Sequence, residues 1–137
     1  MQTRLAQLAP LVLRIVVGIV FIVHGYMKIT NLAQTTGFFI RASVPLPNVV
    51  APVVALLEII GGLALLLGLY SRTFSLLLII DMLFAISLAK NKTGFVGGWE
   101  FELTLIAILL AIVLAGPGVI SLTRQRSRAT REPSVAT

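Results

Sequence analysis

Long apolar runs broken by short polar stretches dominate the chain, and the runs have membrane length. A helix rising about 1.5 Å per residue needs roughly 20 mostly apolar residues to cross a bilayer. Four runs qualify, at about 8–29, 49–70, 73–89 and 99–115. The second and third meet at a tight turn around Ser71-Arg72, and the third and fourth are joined by the Gly-containing loop from Lys90 to Gly98. Gly116-Pro117-Gly118 is a strong stop for the last helix. The first connection, Thr30 to Asn48, is long for a small bundle and carries Phe38, Phe39 and Ile40. Its first half predicts a short amphipathic helix in the interface, with Phe38 and Phe39 dipping towards the headgroups. Val44-Pro45-Leu46-Pro47 predicts extended chain. The expected fold class is therefore all-α: a polytopic membrane protein, with a four-transmembrane-helix bundle over 1–120 and a short amphipathic helix in the outer first loop. A polar, basic tail over 121–137 is expected to be disordered.

Composition removes the soluble alternative. The 137 residues are 58% hydrophobic and only 12% charged, with mean hydropathy +1.03. A soluble domain carries about 25% charged residues, so this chain cannot cover itself with a polar surface. The net charge of +6 is concentrated in Arg124, Arg126, Arg128 and Arg131. Basic residues flanking apolar spans set orientation or meet anionic lipid. Nothing resembles a nucleic-acid reading motif, so nucleic acid is not an expected partner. Arg4, Arg72 and the tail arginines lie on one side, against Lys28, Arg41, Lys90 and Lys92 on the other. This excess places both termini in the cytoplasm. The run after Arg4 is too long for a signal-peptide core and has no small-residue cleavage site, so it reads as a retained span.

Candidate chemistry comes from ionisable residues inside the apolar runs. Each costs about 2.5–3.5 kcal/mol or more at membrane depth unless paired. The first span holds Arg14, His24 and Lys28; the others hold Glu58, Asp81, Glu100 and Glu102. Arg14, Gly18, Phe21, Gly25 and Lys28 follow helical spacing and share one stripe. The glycines on that stripe, with Gly61-Gly62 on the second span, permit close helix approach. Comparing depths at about 1.5 Å per residue pairs Arg14 with Asp81 as a structural ion pair. It pairs Glu58 with His24, and with Lys28, as a proton-handling group. Glu100 and Glu102 join Lys28 and Lys90 at the outer rim. Tyr26, Lys28, Trp99 and Glu100 are candidate ligand-binding residues, although Trp99 and Tyr26 also suit an aromatic belt and Glu100 a helix N-terminus. One histidine and scattered carboxylates lack the repeated spacing of a metal site. The absence of cysteine excludes thiol chemistry.

The ordered set of motifs resembles the DoxX family of small bacterial membrane proteins. It runs His24-Gly25 with Lys28, then Glu58 with Gly61-Gly62, then Gly97-Gly98 with Glu100, then Gly116-Pro117-Gly118. Lys90 stands where many members have histidine, Asp81 and Glu102 look like additions, and Thr123 replaces an aspartate that often follows Ser-Leu. The resemblance implies a four-helix protein of the bacterial cytoplasmic membrane, often labelled an oxidoreductase. The family is named for a subunit associated with a thiosulfate:quinone oxidoreductase, and its relatives are linked to the detoxification of quinones and catechols and to oxidative-stress complexes.

Three readings stay open at this level. In the first, the chain is a quinone-linked redox component with a charged pocket near the outer leaflet; the cofactor is then a quinone, and a soluble or membrane redox enzyme supplies electrons. In the second, it is a non-catalytic scaffold that anchors such an enzyme. In the third, it is a small-solute or proton-coupled carrier, for which four short spans leave room only if copies of the chain associate.

Overall fold

The computed structural model describes residues 4–90, 92–116, 118 and 121. The basic tail beyond Ser121 lies outside the described residues. The elements are α1 (Arg4–Thr30), α2 (Leu32–Arg41), α3 (Pro47–Leu67), α4 (Ser71–Phe84), a wider π turn (Ala85–Ala89) and α5 (Glu100–Ala115). Among the described residues, four stretches are long and apolar enough to cross a membrane: Leu8–Thr30, Pro47–Leu67, Ser71–Leu88 and Phe95–Ala115. The all-α, four-span expectation therefore holds, with boundaries shifted by a few residues.

The bundle is organised by the closest of its helix pairs, α1 against α3. These run antiparallel, and glycine sets their separation. A Cβ on Gly62 would come 2.6 Å from the Gly18 carbonyl oxygen, and one on Gly18 would come 2.8 Å from that of Gly62. Gly25 repeats the arrangement, 2.7 Å from the Ala55 carbonyl oxygen. In lipid there is little hydrophobic drive between helices, so close van der Waals contact supplies the association that burial supplies in water. On the other side of α3, Gly61 receives the side chain of Leu78 from α4.

Inside the four helices one apolar core forms from Val17, Phe21, Leu65, Leu78, Met82, Leu105, Leu109 and Ile112. The α5 members sit at i, i+4 and i+7, one stripe of a helix. The faces turned outward remain apolar, with Val12, Val16, Val53, Leu56, Ile80 and Leu110 all exposed. That is the surface lipid requires and water would penalise.

The expected interfacial helix is α2, but Phe39 does not dip outward. It is buried with Val44 and Ala51, and its ring meets that of Phe84 edge-on at 6.5 Å between centroids. α2 thus lies across the end of the bundle as a cover, tied to α1 by a hydrogen bond from Thr35 Oγ1 to the Lys28 carbonyl at 3.3 Å. The stretch after α2 is less extended than expected. Ser43 and Leu46 take left-handed backbone conformations, φ 59° and 49°, and Pro47 already opens α3, where its missing N–H costs nothing.

At the other end of α3, Gly68 (φ 69°) closes the helix in the conformation that glycine adopts most cheaply. Between α4 and α5 the backbone widens: Lys90 N–H donates to the Ala85 carbonyl at 3.0 Å, five residues back. The approach to α5 kinks at Val96 and Gly97 (φ 73°).

Candidate functional site

The ionisable residues of the spans divide between the two ends of the bundle. Arg14 belongs to the end opposite α2. It is buried, its Nε donating to the Leu65 carbonyl at 2.8 Å and its Nη2 to that of Leu66 at 3.3 Å. These carbonyls belong to the last turn of α3, beyond the regular i+4 donors of the helix; the Leu65 carbonyl also accepts from the Gly68 N–H at 3.2 Å, and a cation there opposes the helix dipole.

This corrects the expected Arg14–Asp81 ion pair. α4 begins at Ser71 rather than Thr73, which raises Asp81 along the bundle by about 3 Å. Arg14 lies level with the final turn of α3. Asp81 lies instead beside Glu58, two turns further on, their carboxyls close enough that a proton on either would bond the pair.

Glu58 is 1% exposed, so it faces the bundle interior. Its hydrogen bonds come from Lys28, whose Nζ lies 2.6 Å from both Oε1 and Oε2. The structure thus gives Lys28, not His24, as the direct partner of Glu58. His24 stands one turn before Lys28 with its ring 5.4 Å from that of Phe101 of α5. A second ion pair joins Lys90 to Glu102, Nζ to Oε1 at 2.6 Å. Lys90 also donates to the Gly98 carbonyl at 3.3 Å. The wide turn before Lys90 and the kink before α5 are therefore held together by one ammonium group.

These residues surround a cavity of about 110 Å³. α1 contributes Phe21, His24 and Lys28; α2 contributes Phe38 and Phe39; α3 contributes Glu58. Asp81, Met82 and Phe84 come from α4, and Phe101, Glu102 and Leu105 from α5, with Lys90 from the connection between them. A wider space of about 360 Å³ lies under α2, and His24, Lys28, Phe38 and Phe39 belong to the walls of both. The outer space also meets Asn31, Gln34 and Arg41, so it is the more polar of the two at its margin.

Three of the residues expected to bind ligand stand outside both spaces. Tyr26 is 61% exposed on the outer face of α1. The Trp99 ring packs on Phe95, edge-on at 4.8 Å. Glu100 accepts a hydrogen bond from Gly97 N–H at 2.8 Å and serves the start of α5. Conversely, Asp81, Phe39, Phe84 and Phe101 line the cavity without having been expected there. A helical-spacing signal existed for two of them, since Asp81 and Phe84 lie at i, i+3 and so share a face of α4.

With this arrangement in view, the comparisons decide the family. The family model of DoxX matches residues 9–91. The chain belongs to the DoxX family. Among its relatives are "Putative oxidoreductase CatD" of Bacillus subtilis, 34% identical over 116 residues covering 85% of each chain, and "Inner membrane protein YqjF" of Escherichia coli, 33% identical over 126 residues covering 88% of this chain and 94% of the relative. "Uncharacterized membrane protein Rv3486" of Mycobacterium tuberculosis is 32% identical over 130 residues, 85% of this chain and 80% of that one. No solved structure matches significantly. This DoxX-family chain is thus a multi-pass bacterial membrane protein, related by the names of its relatives to oxidoreductases. The DoxX match takes in most of α1 and all of α2, α3 and α4 and stops before Glu102, so α5 completes the cavity from outside the matched segment.

Proposed function

We propose that this chain is a quinone-linked, redox-stress-related membrane component, and that the cavity between α1, α3, α4 and α5 receives the quinone head group. The observation that carries this reading is the joining of a buried ion pair to a small phenylalanine-walled chamber. At about 110 Å³ the chamber is of the same order as the roughly 150 Å³ apolar cavity that holds a benzene ring. It suits one ring, and the wider space under α2 suits a tail or an approach path. Cavities between helices of a bundle, apolar with a few convergent polar groups, are ordinary places for a small ligand.

In this reading Lys28 turns from Glu58 to donate a hydrogen bond to a quinone oxygen. Glu58 and His24 then handle the proton that accompanies an electron. An imidazole can both donate and accept a proton, and the place of His24 on the walls of both spaces suits a proton relay between chamber and vestibule. Electrons come from a partner redox enzyme, soluble or membrane-bound. Both termini lie in the cytoplasm, which puts the α2 end and the chamber towards the outer leaflet.

The test is equilibrium binding of a short-tailed quinone to the protein in lipid nanodiscs. Ala85→Leu, which fills the chamber from the π turn, is expected to weaken binding at least about ten-fold, the equivalent of 1.4 kcal/mol. Saturable binding to the wild type that Ala85→Leu leaves unchanged would place the quinone elsewhere, and no binding at all would end the reading.

A further inference from the structure

The chamber is richer in acceptors than a quinone requires. A quinone oxygen accepts hydrogen bonds, so a site built for the oxidised form needs donors. Three carboxyls, Glu58, Asp81 and Glu102, line the chamber with only two ammonium groups, Lys28 and Lys90. Glu58 engages Lys28 through both of its oxygens. Lys90 engages Oε1 of Glu102. Oδ2 of Asp81 and Oε2 of Glu102 are fully buried and accept no hydrogen bond among the described residues. Asp81 is 6% exposed and Glu102 7%, so bulk water does not serve them.

A buried acceptor without a partner is costly, and more so when charged. A proton shared between Glu58 and Asp81 would account for the aspartate alone. Glu102 would keep its open oxygen, since Lys90 holds the other one. Glu102 therefore holds one buried acceptor that no proton accounts for, and Asp81 a second that a proton or a donor can satisfy; both residues line the ring-sized chamber, which calls for a ring bearing hydrogen-bond donors. A neutral hydroxyl donor enters this phenylalanine-walled chamber without the desolvation that an ammonium group would bring.

We propose that Asp81 and Glu102 are specificity-determining residues that make the chamber select the reduced, dihydroxy form of an aromatic redox carrier, whose hydroxyls donate to Asp81 Oδ2 and Glu102 Oε2. This rests on the reading of the chamber as a quinone site and adds which redox form it holds. Phe38, Phe39, Phe84 and Phe101 supply apolar ring faces for the aromatic body. The carboxyls distinguish the two forms because an acceptor facing a quinone carbonyl has nothing to accept.

Three ring compounds of similar size separate the possibilities: 1,4-dihydroxybenzene, 1,4-benzoquinone and 1,4-dimethoxybenzene. Their binding is measured by calorimetry under anaerobic conditions on the wild-type protein in nanodiscs. The expected order is dihydroxybenzene tighter than either of the others by about ten-fold or more, as one hydrogen bond to a charged acceptor provides. Asp81→Asn, which keeps the shape and adds an amide donor, is expected to weaken dihydroxybenzene about ten-fold and to leave benzoquinone unchanged or tighter. Glu102→Gln is expected to do the same while keeping an oxygen for Lys90. Equal binding of dihydroxybenzene and dimethoxybenzene to the wild type would overturn the selection, and this comparison needs no variant to fold. Benzoquinone bound as tightly as dihydroxybenzene would overturn the selection and leave the quinone site standing. Binding of none of the three would remove both.

Discussion

The half-buried Lys28–Glu58 pair is where single residues are most open to test. Removing one partner leaves the other charged and unsolvated, which costs about 3–5 kcal/mol for a fully buried pair. Lys28 keeps 28% of its side chain exposed, so we expect Lys28→Met to cost about 2 kcal/mol, read as a lower melting temperature in detergent. Replacing both by Met removes the charge imbalance and is expected to bring stability back to within about 1 kcal/mol of wild type. A double variant no more stable than Lys28→Met would mean that the destabilisation comes from lost packing rather than from a stranded carboxylate. The sequence made this pair legible only in part. It placed Lys28 and His24 one turn apart near Glu58, but which of them reaches the carboxylate depends on side-chain length and on helix rotation. Lys28 crosses the gap, whereas the shorter His24 side chain remains against Phe101.

Between elements, two devices hold the bundle in place. The glycine contact of α1 with α3 leaves no room for a methyl group on either side, and the obstructing atoms are backbone oxygens that cannot rotate away. Gly62→Val is therefore expected to destabilise by about 3 kcal/mol, at the upper end of core overpacking, and to lower the yield of folded protein in size-exclusion chromatography. Glu100→Ala removes the acceptor for Gly97 N–H and is expected to cost about 1 kcal/mol, as loss of a helix cap does, with ring-compound binding unchanged because Glu100 does not line the chamber. The existence of the spans and the glycine stripe was legible, because apolar length and helical spacing are properties of single segments. The Asp81 partner was not: a shift of two residues at the start of α4, together with the placement of Arg14 on the last carbonyls of α3, reassigned it. Nor was the inward turn of Phe39, since an amphipathic helix over a bundle end has two apolar environments to choose between, lipid and the bundle itself.

At the scale of the whole molecule, the lipid-facing surface, the closed core and the cover formed by α2 define one chamber at one end. The orientation that puts this end outside can be tested on a chain with no cysteine of its own. A single cysteine at Thr93, in the exposed loop before α5, is expected to react with a membrane-impermeant maleimide added to intact cells. One at Thr73, near the start of α4, is expected to react only after the membrane is opened; the reverse pattern would invert the molecule. The four-span architecture could be read from hydropathy alone. The chamber could not, because five segments separated in sequence contribute its walls and the π turn that carries Ala85 has no simple periodic signature. Whether this chamber holds a quinone is decided by purifying the protein from membranes and quantifying extractable quinone per chain for wild type and for Lys28→Met/Glu58→Met. We expect a substantial fraction of wild-type molecules to carry quinone and the equally folded double variant to carry at least about ten-fold less. Equal quinone in the two, or none in the wild type above a control membrane protein prepared in the same way, would contradict the account.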